Sequence, residues 1–313
     1  MRIAFNTFPD SVKSQLATLS AQQNHLQNQV ATGKRISQLD DDPAAMRRVL
    51  DWQTQGSQVS QYRKNIASLQ TEATSSYSAM SGLQTISARA GEIATLADGT
   101  RSAQELNTYA SEVTQLIQQG VQLMNSTGQG GYLFGGTATA QPPFVAATDA
   151  NGNITGVTYQ GNEAALSAEI AAGAPVAVQV PGANTSGSGP AGLITDSRNG
   201  ADFFNHLIAL QNHLRAGDTN SISSSDLPAL AKDEDNITSQ MAHNGLIQAH
   251  LSTADSLAAT QSLSLKKTIS QDSDADLAQT LTQLSTTQTA YLAALQSGAK
   301  LLSQSQSLLS YLA

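Results

Sequence analysis

The chain has 313 residues, a net charge of −8, 40% hydrophobic residues, 4% aromatics and 13% charged residues. That length allows two domains, but so few aromatics and charges fit a compact enzyme with an aromatic-lined pocket poorly and suit long helices that bury modest side chains. Residues 102–197 hold six acids and no Lys or Arg, and the basic residues elsewhere form no stripe, which argues against nucleic acid as a partner.

The first predicted element is a helix from about Ser11 to Thr32. Val12, Leu16, Leu19, Leu26 and Val30 recur at spacings of four and three, with Gln23 in the one polar seam position. Gly33 follows, where a left-handed C-terminal cap is expected. A second helix starts with Asp42 as cap and Pro43 at its first position, where the missing N–H costs nothing. Val59, Tyr62, Ile66, Leu69, Ala73, Met80, Leu83, Ala90 and Ile93 continue its stripe to an end near Asp98-Gly99. Fifty-odd residues would make it roughly 80 Å long. A third helix is expected over about 103–126, with Leu106, Tyr109, Val113, Leu116 or Ile117, and Met124 on one face.

The helical period vanishes at "STGQGGYLFGGTATAQPPF", residues 126–144. Short runs at 154–161, 164–170 and 174–180, separated by turn residues, predict a small β-rich insert. Phe203, Leu207, Leu210 and Leu214 mark a short helix, and another is expected from about Pro228 to Lys267. "SQDSDAD", 270–276, is an acidic break. Leu277, Leu281, Leu284, Tyr291, Leu295, Leu302 and Leu309 then keep the four-three spacing, with Gln288, Gly298 and Ser305 between them.

The pattern predicts a mainly α fold: an antiparallel helical bundle or coiled coil of N- and C-terminal segments, with the β-rich domain inserted in the middle. Its parts are an N-terminal coiled-coil helix and spoke (1–42), the two halves of an inner helical rod (43–130 and 201–270), the insert (131–200) and a C-terminal coiled-coil helix (271–313). The insert should project from the far end of the rod, and residues 146–197 should be replaceable without loss of assembly. The terminal seams are narrow and polar in places, and isolated helices of this kind are marginal in water. Residues 1–40 and 272–313 are therefore expected to be disordered in the isolated chain.

No catalytic constellation stands out. Histidines 206 and 213, and 243 and 250, are seven apart, about 10.5 Å along a helix, too far to share one metal; with His25 they read as solvent-facing or interface residues. "TGKR", Thr32 to Arg35, lacks the Gly and Ser/Thr positions of a P-loop. Asp40, Asp41 and Asp42 lack a calcium-loop spacing and read as capping and solvated charge. No cofactor or metal is expected. Cysteine is absent, which excludes disulfides, thiolate metal sites and a Cys nucleophile. The N-terminal residues lack the apolar region of a cleavable signal, and no apolar run approaches the ~18 residues of a membrane span.

Residues 26–49, "LQNQVATGKRISQLDDDPAAMRRV", resemble the N-terminal signature of the bacterial flagellin superfamily. There a helix ends in a Gly-Lys/Arg turn, followed by an extended spoke, a double-Asp cap and a long helix. Pro43 after Asp42, "GGYLFGGTATAQPPF" at 130–144 and the C-terminal "SLLSYL" resemble the hook–filament junction (hook-associated protein 3) family within it. The resemblance covers about 1–144 and 230–313. It implies a structural subunit, exported without a cleaved signal to the extracellular flagellum. Its partners would be further copies in a ring, a hook-associated protein on one side, flagellin on the other, and a cytoplasmic export chaperone at the C-terminal helix, with no nucleic acid and no membrane insertion. The seam residues would face partners in the assembled tube, and Gly33, Lys34, Arg35, Asp41, Asp42 and Pro43 would form the joint. Filament flagellin is the alternative; a surface-displayed binding module or an enzyme with an unrecognised site are further ones.

Overall fold

The computed structural model describes residues 7–312, and side chains for residues 10–300. Helix α1 spans Thr7–Thr32, α2 Pro43–Leu96 and α3 Ala103–Met124. Short strands follow: β1 (Thr127–Gly128), β2 (Gly131–Tyr132), β3 (Phe144–Thr148), β4 (Ile154–Tyr159), β5 (Ser167–Ala171), β6 (Ala174–Ala177), β7 (Ala183–Asn184), β8 (Thr195–Asp196) and β9 (Ala201–Asp202). Helix α4 (Phe203–Ala216), the single turn α5 (Thr219–Ser221), a π-helical turn (Ile222–Asp226), α6 (Leu227–Ser273) and α7 (Leu277–Leu312) complete the chain. Residues 59–260 form one compact unit; residues up to 58 and from 261 onward form the other. The fold is mainly α, with a β-rich insertion of small sheets. Among the described residues no helix is long and apolar enough to cross a membrane.

In the larger unit, α2 turns into α3 at Asp98, whose carboxylate accepts from the Thr100 N–H and hydroxyl. Ser102 and Glu105 then cap α3 reciprocally, satisfying two N–H groups that the helix start leaves unpaired. The predicted stripe of α2 faces inward: Ile66, Leu69, Ala73, Met80, Leu83, Ala90 and Ile93 are all buried. One core joins Met80, Leu83 and Ile93 of α2 to Ile117 and Met124 of α3, Phe203, Phe204 and Leu207 of α4, and Ile237 of α6. Gly120 lets α3 approach α4, since a Cβ there would sit 3.0 Å from the Phe204 ring.

The insert does not project. Strands β5 and β6 form an antiparallel hairpin that lies against α2 and α6, and Ile170 and Val178 are buried with Ile66, Leu69, Ala73 and Leu251. The Asn65 side chain donates to the Glu169 carbonyl at 2.8 Å. Ile154, Val180, Leu193 and Ile194 join the main core. β3 pairs with β4, and Phe144 packs on Tyr159 and Phe204 at ring distances of 5.1 and 5.5 Å. The Tyr159 hydroxyl bonds the Phe134 and Asn162 carbonyls, and burial pushes its pKa up to about 12. Gly136 has φ +65°, and a Cβ there would collide with the Asn162 carbonyl, so "YLFGG" needs glycine at that position. Strands β7, β8 and β9 form a three-stranded sheet, parallel at β7–β8 and antiparallel at β8–β9.

Two of the histidines read as solvent-facing or interface residues are only partly exposed. His206 and His213 are half-buried, each bonded to a buried aspartate. Asn236 is buried and donates to the Gly192 and Leu193 carbonyls.

Candidate assembly site

The smaller unit carries every joint and described seam residue named above. Helix α1 ends at Thr32, and Gly33 turns left-handed with φ +67°. Its N–H still bonds the Gln29 carbonyl at 2.8 Å. Nothing lies within 4 Å of the position a Cβ would take, so glycine is needed there for the backbone angle alone; an L-residue in that conformation costs about 1–2 kcal/mol.

The spoke then runs beside the link between α6 and α7. The Gly33 carbonyl accepts from Ala275 N–H at 2.9 Å, and Arg35 N–H bonds the Ser273 carbonyl at 2.7 Å. Lys34 and Asp274 face each other across this antiparallel bridge, and the ammonium meets the carboxylate at 2.5 Å. Arg48 on α2 holds the Asp272 carboxylate at 2.7 Å, and the Arg35 guanidinium donates to the Asp272 carbonyl. Ile36, Ala45 and Val49 are buried beneath.

Asp41, Asp42 and Asp276 each accept from nearby backbone N–H groups. Asp41 accepts from the N–H groups of Ser37 and Gln38, both at 2.8 Å, and these bonds hold its carboxyl below the usual range. Asp42 accepts from Ala45 N–H at 3.0 Å; as N-cap it too is held low, chiefly by that bond. Pro43 is the first residue of α2. Asp276 caps α7 through Ala278 and Gln279 N–H. The acidic break is therefore half of the joint. Its signal in the sequence is charge: Lys34 and Arg35 on one link with Arg48 just beyond it on α2, and Asp274 on the other with Asp272 just before it on α6.

Helix α1 packs against α7. Gly33 lies beside Ala275, while a Cβ on Gly298 would sit 3.0 Å from the Val12 side chain; the helices are therefore antiparallel. On α1 the covered residues are the predicted ones. Leu26 is buried, and Val12, Leu16, Leu19, Gln23 and Val30 are half-buried. On α7 the covered face is Thr280, Leu284, Thr287, Tyr291, Ala294 and Gly298, again at spacings of four and three. Thr280 and Thr287 are buried, and each hydroxyl bonds the carbonyl four residues back. Over the described residues the terminal segments are the helices α1 and α7, each covering the other's narrow seam, with the bridged links bracing one end.

The leucines divide between two faces. Leu284 and Tyr291 look toward α1. Leu277, Leu281, Leu292 and Leu295 are 47, 51, 59 and 40% exposed. At 100° per residue the exposed four fall within about 60° of one another, in a stripe beside the covered face. Leu302 and Leu309 lie outside the described side chains. Among the described residues no cluster of His, Cys, Asp or Glu could hold a metal.

Helices α1 and α7 thus run antiparallel, braced at one end by a glycine turn, a bridged spoke and an Asp-Pro helix start. Residues 3–139 match the family model of the bacterial flagellin N-terminal helical region. The fold is that of flagellar hook-associated proteins. A candidate flagellar hook-associated protein from Vibrio parahaemolyticus matches with TM-score 0.63 and 19% identity, over 75% of this chain and all of that one. FlgL of Bacillus cereus matches with TM-score 0.57 and 19% identity, over 70% and 99%. Flagellar hook-associated protein 3 of Legionella pneumophila matches with TM-score 0.56 and 13% identity, over 69% and 97%. No curated protein matched the sequence.

Proposed function

We propose that the chain is a structural subunit of the bacterial flagellum that joins the hook-associated region to the flagellin filament. The observation that carries this reading is the leucine stripe of α7, left uncovered on a helix whose other face is already closed by α1. Four half-exposed leucines on one line form an apolar surface that an assembled neighbour would cover. The flagellin-type N-terminal region and the hook-associated fold support the same assignment.

In this reading α1 and α7 add to an inner tube built from copies of the chain, and the bridged joint sets how the pair leaves α2 and α6. A ring of copies would meet a hook-associated protein on one side and flagellin on the other. A cytoplasmic chaperone would cover the α7 stripe before export to the cell exterior. The role is mechanical, with no catalytic step. The test is position and copy number. Labelled protein on intact flagella is expected at one band where filament meets hook, in one ring's worth of copies; labelling along the whole filament would make the chain a flagellin instead.

A further inference from the structure

Two histidine–aspartate pairs that the assembly role does not use tie α4 to α6 and to the π-helical turn before it. His206 Nδ1 lies 2.7 Å from Asp233 Oδ2, and His213 Nδ1 lies 2.8 Å from Asp226 Oδ2. The histidines are seven apart on α4 and the aspartates seven apart across the π-helical turn and α6, so the pairs form two rungs of one antiparallel ladder. The Asp233 and Asp226 side chains are 0 and 3% exposed, whereas the imidazoles are 24 and 32% exposed. Asp233 also accepts from the Asp202 N–H at 2.8 Å. The π-helical turn ends on Asp226, directly before α6, and thus carries the acid of the second rung.

A carboxylate taken out of water is costly without a compensating cation. A neutral imidazole supplies a hydrogen bond but no charge; a protonated one makes the rung neutral overall. The His206 imidazole keeps an edge in solvent, through which a proton can arrive. We propose that the His206–Asp233 rung is an acid-tightened clasp between α4 and α6, which strengthens as its imidazole takes up a proton and slackens as the medium turns alkaline.

The surrounding charges favour this direction. His206 faces Asp233 and Lys232 from α6 and Asp202 at the start of α4. The Asp233 hydrogen bond is the largest cause that raises the His206 pKa above 6.5, against the opposing effect of burial. Burial also raises the Asp233 carboxyl, so folding increases proton affinity at both members of that rung. A group whose folded pKa is raised stabilises the fold below its unfolded pKa and loses that contribution as pH climbs through the folded value. The window therefore opens near pH 6.5 and extends upward.

The test is denaturant unfolding of the full chain between pH 5.5 and 8.5. The native chain's folding equilibrium constant should fall several-fold from the acid to the alkaline end. In a His206→Gln variant the slope should shrink. A flat native profile, or an undiminished slope in the His206→Gln variant, would overturn the proposal. If that variant does not fold, NMR titration of His206 in the native chain decides: a midpoint above 6.5 supports the clasp, and one at or below 6.5 refutes it.

Discussion

Replacing Leu281 by lysine is expected to leave the free subunit folded and to stop it from holding a filament. Leu281 is 51% exposed and outside the α1–α7 contact, so the change removes little that the isolated chain uses. In the proposed tube the same side chain is covered by a neighbour. Loss of its burial costs about 1.5–3 kcal/mol, and an unpaired ammonium taken out of water adds several kcal/mol. Even about 3 kcal/mol is a hundredfold in each contact. Cells carrying Leu281→Lys should build hooks and release flagellin into the medium. Gln283→Lys, exposed on another side of α7, is the control and should be tolerated. Blotting the medium for the variant separates failed assembly from failed export. Normal motility of an exported Leu281→Lys variant would contradict the stripe's role. Leu284 serves this purpose poorly, because it is already half-buried toward α1 and its replacement would disturb the free subunit.

Deleting residues 146–197 is expected to unfold the larger unit. Judged by composition, the segment is a detachable surface domain. The structure overturns this, since Ile154, Ile170, Val178, Val180, Leu193 and Ile194 are all at most 5% exposed. Each such side chain contributes about 1.5–3 kcal/mol when buried, against a typical domain stability of about 5–15 kcal/mol. The deletion would also uncover Ile66, Leu69 and Leu251, which the β5–β6 hairpin now covers. Circular dichroism should show loss of cooperative melting, and the product should aggregate. Shortening only the β3–β4 tip, residues 149–153, removes an exposed turn and should leave melting nearly unchanged. A soluble, cooperatively melting 146–197 deletion would show that the insert is separable after all.

What could be read in the sequence follows from what one helix or turn decides alone. The α1 seam, the left-handed Gly33, the Asp42-Pro43 start and the inward stripe of α2 are local patterns, and the structure has each of them. The face of α7 that closes on α1 was not legible. Two heptad columns interleave there, and leucine content favours Leu277, Leu281 and Leu295, yet α1 sits on Thr280, Leu284, Thr287, Tyr291, Ala294 and Gly298. Small residues such as Ala294 and Gly298 permit close approach, and periodicity does not say whether a column faces its own chain or another copy. Strand β3 was missed for a related reason. "FVAAT" does not alternate, and its partner β4 lies across a turn whose pairing emerges only in three dimensions. The His–Asp ladder and the Lys34–Asp274 and Arg48–Asp272 pairs join residues at least 13 positions apart, which no window along one helix brings together.

The most direct test of the assembly role uses the absence of cysteine from the chain, which makes one introduced thiol the sole labelling site. In Leu281→Cys, maleimide labelling is expected to be rapid in the free subunit and strongly suppressed in purified flagella, with Gln283→Cys as the reference for general access. Equal labelling of Leu281→Cys in free subunit and flagellum would show that the stripe stays open after assembly, and would contradict the account.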